Sequence, residues 1–191
     1  CFWTVGAANA TAMNVAFPDA DASYWAAYYV LPAGGKLQLE GRYPHSRFAA
    51  IQSYNLMGSP VDALADYQIN PDPGSVNPFR PRVPRTAARR SYTLELLDTS
   101  LGEWPSMNQR SDMPARNALH TLPMIGDSPV RLLMYRVFVP DRGRDLRGGV
   151  QLPQPRLTLA DGTVLTGKAA CAALLPPQMP TLDPAALQLP K

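Results

Sequence analysis

Tyr24-Trp25-Ala26-Ala27-Tyr28-Tyr29-Val30-Leu31, then Pro32-Ala33-Gly34-Gly35, then Lys36-Leu37-Gln38-Leu39-Glu40-Gly41-Arg42-Tyr43 is the stretch on which the fold turns. The first segment is aromatic and β-branched with no polar row, so it reads as a strand buried on both faces. Pro32 removes a backbone donor and halts it, and the following glycines supply a turn. Lys36 to Tyr43 alternates polar and apolar residues, the pattern of an antiparallel strand with one wet face. Two such runs across a short turn are expected to pair as a hairpin.

Working outward, Pro44-His45-Ser46 interrupts the pattern before Arg47 to Leu56, a third strand, and three in a row suggest a meander. Pro60 to Leu64 fits a single helical turn with proline first, and Tyr67 to Ile69 reads as irregular. Asn70 to Phe79 is built of turn formers whose prolines fix φ in advance, an ordered loop. Arg80, Arg82, Arg85, Arg89 and Arg90 follow with no acid among them, where the loop enters the strand Ser91 to Leu97. Residues 99–128 hold too many prolines and glycines for any element longer than Ala115 to Leu119. Arg131 to Val139, ended by Pro140, is the strongest strand and its centre should be core. Asp141 to Asp145 is a charged turn whose alternating signs allow local ion pairs. Asp161-Gly162 joins Arg156–Leu159 to Thr163–Leu165 as a hairpin. Lys168 to Leu174 forms a short helix that Pro176-Pro177 ends.

The chain of 191 residues holds 21 prolines and 13 glycines, which favours many short strands over a helical bundle. The fold class is all-β with minor helix: one antiparallel β-sandwich or jelly roll over residues 1–175, with an extended proline-rich tail over 176–191. The charge of +3 is too small for the basic stripe of a nucleic-acid binder. No run approaches the ~20 apolar residues that span a bilayer. A removed leader fits a numbering that begins at Cys1.

Cys1 and Cys171 are the two cysteines. A disulfide between them, acylation of Cys1 and two unrelated thiols are the three readings. The first would staple nearly the whole domain and suits an oxidising compartment, whereas bulky Phe2 and Trp3 count against the second.

Three segments, Gly34 to Phe48 with Gly41-Arg42-Tyr43-Pro44-His45-Ser46-Arg47-Phe48 at its end, Pro71 to Phe79, and Tyr135 to Asp145, together resemble a set of exported bacterial domains without assigned chemistry. In that set a "PxGxxLxLxGRYPHxRF" strand pair recurs inside a jelly-roll-like sheet. The resemblance implies a β-sheet fold and a periplasmic or extracellular location, and it carries no site residue across.

The chemistry must therefore come from the residues. His45, with Arg42 and Arg47 beside it, fits a general base or an anion pocket, since neighbouring arginines would keep it neutral. Arg80 and Arg82, with the arginines after them, could clamp phosphate or carboxylate groups, or merely solvate a loop. Tyr24, Trp25, Tyr28, Tyr29 and Tyr54 could line a sugar platform, although only one alternate row can face a ligand. Asp19 and Asp21 open like a calcium loop, but the glycine and bidentate glutamate that should follow are missing. Two histidines and no CxxC pair assemble no zinc site, and no Gly-x-Ser-x-Gly elbow suggests a serine hydrolase.

The expectation is a non-enzymatic exported binding or accessory protein of the bacterial envelope, with Arg42, His45, Tyr54, Arg80 and Arg82 as ligand-binding residues. It needs no cofactor, meets a protein partner or a second copy through its tail, and leaves peripheral membrane association open. The alternative is an enzyme on a small anionic substrate with His45 as base and Arg47 among its clamps.

Overall fold

The structure is a computed structural model that describes residues 1–8, 21–55, 60–98, 117–122 and 129–177. Two five-stranded sheets pack face to face as a β-sandwich. The strands are β1 (Val5–Ala8), β2 (Ala22–Val30), β3 (Lys36–Arg42), β4 (Ser46–Tyr54), β5 (Pro60–Ala65), β6 (Ser91–Asp98), β7 (Ala118–Thr121), β8 (Val130–Pro140), β9 (Gln154–Thr158) and β10 (Val164–Thr166). One sheet runs β1-β2-β8-β4-β5 and the other β10-β9-β3-β6-β7. All the pairings are antiparallel except the parallel pair β6–β7. A 3-10 turn, Asp66–Gln68, follows β5, and a single helix, α1 (Gly167–Leu174), packs on β9 and β10.

The expected hairpin of the opening stretch does not form. β2 pairs with β1 and β8, whereas β3 pairs with β6 and β9 in the opposite sheet. The turn between them carries the chain across the sandwich: Gly35 N–H donates to Pro32 O at 2.8 Å, and Gly34 sits at φ +69°, where a Cβ would lie only 3.0 Å from Ala160 Cβ. The meander fails for the same reason, since β4 returns to the first sheet beside β8. Each sheet must offer an apolar row to the other, and crossing places Leu37 and Leu39 opposite the inner row of β2. Pro60–Leu64 is likewise strand and not a helical turn. At the start of an edge strand, a proline's missing N–H costs no ladder bond.

Other expected elements are present, whereas the extended tail expected over 176–191 lies, from residue 178 on, outside the described residues, as does most of 99–128. Arg131 to Val139 lies within β8, the centre of its sheet, and Leu133, Tyr135 and Val137 are fully buried on it. Val164–Thr166 pairs with Arg156–Thr158 across Asp161-Gly162. Ala118 and Leu119 fall in β7, while residues 115–116 of that expected element lie outside the described residues.

The core between the sheets is Trp25, Tyr29, Ile51 and Tyr135 from one side and Leu39, Tyr92, Leu94 and Leu157 from the other. Polar ties cross it at one end. Ser53 donates its hydroxyl to His120 O at 2.6 Å, and Asp62 accepts the His120 N–H at 2.8 Å. Arg131 grips Asp98 through Nε at 2.8 Å and Nη2 at 3.0 Å. These bonds satisfy groups that burial would otherwise penalise.

Cys1 and Cys171 form a disulfide with their Cα atoms 5.9 Å apart, joining the N-terminal segment to α1. No helix among the described residues is long and apolar enough to cross a membrane. Constraining so long a loop in the unfolded chain contributes roughly 4–5 kcal/mol before strain. Replacing both cysteines by serine is expected to lower the unfolding free energy in urea by about 2–5 kcal/mol, a loss that reduction of the wild-type protein should reproduce.

Asp66 is a second buried constraint, 4% exposed. Its carboxylate accepts the N–H groups of Ala49 at 2.7 Å and Tyr67 at 2.6 Å, fastening the 3-10 turn to β4. Burial outweighs those donors and pushes its pKa up to about 6 from 3.8. Between those two values the folded chain holds a proton that the unfolded chain has released. The contribution of Asp66 to stability is therefore fully present below about 4 and is lost as pH rises through about 6. Urea midpoints measured across this window should show that downward slope in the wild type and lack it in Asp66→Asn.

Candidate functional site: an arginine-lined cleft

The end of the sandwich where β3 leaves, β4 begins and β8 stops gathers the charged segments. His45, between β3 and β4, is half-buried and pinned through its backbone. Its N–H donates to Gly148 O at 2.9 Å and its carbonyl accepts the Asp141 N–H at 2.8 Å. Gly148 has φ +69°, and a Cβ there would lie 2.7 Å from Pro44 Cβ and 2.9 Å from His45 N, so only glycine allows this approach.

The arginine loop closes from the other side. Tyr43 N–H donates to Arg90 O at 2.9 Å, and Val76 N–H to Arg89 O at 3.0 Å. Arg42 holds Ala88 O at 2.9 Å. Inside the loop, buried Asn77 donates to both Asp66 O and Ile69 O, at 2.7 and 2.8 Å. The loop expected from Asn70–Phe79 is thus ordered by its own polar groups.

Between these segments opens a cleft of about 430 Å³ lined by Arg47, Arg85, Val139, Pro140, Asp141 and Arg142. Arg85 donates to Ser46 O, pairs with Asp141 at 3.2 Å and lies 5.8 Å from the centre of the Phe79 ring. Val139, on the wall, has φ +46°. A β-branched residue resists that region, at a cost of about 1–3 kcal/mol, and such strain gathers at functional sites.

Behind the wall lies Arg90, 2% exposed. Its Nη2 donates to Arg85 O, but its Nε and Nη1 are buried without a hydrogen-bond partner among the described residues. Burial and then the neighbouring Arg42 and Arg85 press its pKa below the usual arginine value. His45 is also lowered, by burial first and then by Arg90 and Arg144, which keeps its ring neutral at pH 7. Asp141 is the acid that offsets this cluster.

The expected ligand residues separate into distinct places. Arg47 lines the cleft, and His45 and Arg42 stand beside it without lining it. Arg80 braces the loop through Asn70 Oδ1 at 2.6 Å and Tyr67 O at 3.1 Å. Arg82 is exposed, at φ +67°, and does not line the cleft. Tyr54 lies on β4, donating to Gln52 Oε1 at 2.7 Å. Asp19 lies outside the described residues, and Asp21 uses its carbonyl to accept the Val139 N–H at 2.9 Å. No group of three or more metal-ligating side chains occurs among the described residues. The sequence marks Asp141 and Arg142 only as part of a charged turn. Their role on the cleft wall comes from the β4–β8 register, Ser46 opposite Pro140, which sequence spacing does not reveal. The turn's acids find partners outside the expected cluster: Asp145 pairs with Arg147, just past the turn, at 2.6 Å, and Asp141 with Arg85 at 3.2 Å.

No protein-family model and no curated protein matches the chain. Among solved structures, an uncharacterized protein from Burkholderia cenocepacia aligns over 89% of this chain and 34% of its own length, with 14% identity and a TM-score of 0.39. The chain thus spans about a third of that protein.

A buried guanidinium with two idle donors costs stability in the empty protein. Arg90→Met is expected to leave the ligand-free protein as stable as wild type or about 1–3 kcal/mol more stable by urea denaturation. Gly148→Ala should instead destabilise it by at least ~1 kcal/mol through contact and φ together.

Proposed function

We propose that the chain is a non-enzymatic binding protein of the bacterial envelope, exported to an oxidising compartment, whose arginine cleft takes the anionic group of its ligand. The observation that carries the reading is Arg90, buried with two unpartnered donor nitrogens behind a wall that already presents Arg47, Arg85 and Arg142. A bound carboxylate or phosphate would balance this excess of positive charge, and guanidinium forks match such groups bidentately. The strained Val139 supports the same place. The Cys1–Cys171 disulfide favours export. The enzyme reading with His45 as base has less support, because the residues lining the cleft do not include His45.

Calorimetric titration of the full chain with inorganic phosphate at low salt is the test. Saturable binding that weakens as sodium chloride is raised is expected. Arg47→Ala and Arg142→Ala should each weaken it by roughly threefold to thirtyfold. Absence of binding, or binding that neither substitution changes, overturns the reading.

A further inference from the structure

The outer face of the β2–β8–β4 sheet continues directly from the cleft. Ser46 and Pro140 are opposite one another at the cleft edge, and the next outward pair, two residues along, is Phe48 opposite Phe138. That step is about 7 Å. The following row sets Tyr24, Arg136 and Ala50 side by side, the one after it Ala26, Met134 and Gln52, and the last Tyr28, Leu132 and Tyr54. The large residues of these rows are half-buried, whereas Ala26 and Ala50 between them are covered. The result is a ridge of rings separated by shallow steps, ~26 Å long from the cleft edge to the last row.

Arg136 organises the near half of this face. Its guanidinium carbon lies 5.5 Å from the centre of the Tyr24 ring, 5.9 Å from Phe48 and 5.7 Å from Phe138, within cation–π range of all three. At the far end, Tyr54 holds Gln52 on the same face. Of the five aromatics expected to line a sugar platform, Tyr24, Tyr28 and Tyr54 share this face, while Trp25 and Tyr29 point into the core. Partly exposed rings set in rows beside a cation and an amide offer a contact surface with both ring faces and polar groups. Rings that alternate with polar side chains suit the C–H faces and hydroxyls of sugar rings better than they suit a lipid or a dry protein interface.

We infer that this face is a platform for an acidic polysaccharide, whose carboxylate or phosphate group sits among Arg47, Arg85 and Arg142 while successive sugar rings lie over Phe138, Tyr24 and Tyr54. The inference rests on the anion-binding reading of the cleft and adds the ligand class. Charge complementarity selects the occupant: the cations gather at the cleft end, and an acidic sugar chain places charge and ring faces along one line.

The test titrates the full chain with galacturonic acid, an oligogalacturonide and a neutral maltooligosaccharide, with inorganic phosphate alongside. The oligogalacturonide should bind about tenfold or more tightly than its monomer, because additional rings stack. The neutral chain should bind far more weakly. Tyr54→Ser and Phe138→Leu should each reduce oligomer affinity roughly threefold to tenfold and leave phosphate affinity unchanged. The comparison of oligomer with monomer is made on the wild-type protein, so it stands if a variant folds poorly. Phosphate binding with no gain from chain length overturns the platform while the cleft reading survives. Tyr54-dependent oligomer binding without phosphate binding supports the platform and removes the cleft. Equal binding of the neutral chain overturns the acidic class, and a concentration-dependent dimer abolished by the same substitutions overturns the proposal in favour of a self-interface.

Discussion

Pairing of β8 with β2 on one side and β4 on the other is the constraint on which the rest of the structure depends. Its register is fixed over nearly its whole length on both sides. Because side chains alternate along a strand, a shift of one residue would send Leu133, Tyr135 and Val137 outward and bring Arg136 into the core. The same register lays Pro140 beside Ser46, so the charged turn after β8 meets the bend before β4. The sheet's interior, its outer ring face and its arginine cleft are therefore three consequences of one alignment.

The two ends of the sandwich treat charge in opposite ways. At the end held by Asp62, Asp98 and Arg131, each described charge meets a partner, and the outcome is closure of the interior between the two sheets. At the cleft end, Arg47, Arg85 and Arg142 share the wall with Asp141, which pairs with Arg85, and Arg90 keeps two donor nitrogens idle. A fold optimised for stability alone would replace Arg90 with an apolar side chain of similar volume. The asymmetry separates an end that holds the protein together from one with capacity to spare for a ligand.

Much of the fold was legible because local pattern and final structure agreed. Alternation at Lys36–Tyr43 and Ser91–Leu97, the Asp161-Gly162 turn, and the proline stops at Pro140 and Pro176 all have local causes that survive packing. What failed was strand partnership. Neighbours in sequence pair by default, but β2 and β3 needed opposite sheets to bury both apolar rows, and no local residue announces that. Pro60 misled for a related reason, since a proline that could open a helix can also start an edge strand. The candidate site was half legible. The arginine run and the GRYPH bend stand out in the sequence, but Asp141, Arg142 and Val139 join them only through pairing of segments far apart in the chain. Arg80 looked like a clamp and proved to be a loop brace, because its carbonyl and amide partners are themselves set by the loop's path.

The bond between Cys1 and Cys171 has a topological meaning beyond its energy. With backbone and disulfide together, everything from the first residue to α1 is a closed covalent ring. A single peptide cleavage anywhere in that ring opens it without releasing a piece, so a nicked molecule keeps both sheets tethered and keeps its mass until it meets a reductant. In a compartment rich in proteases and poor in thiols, damage to one exposed loop would be survivable for this protein in a way that it is not for an open chain.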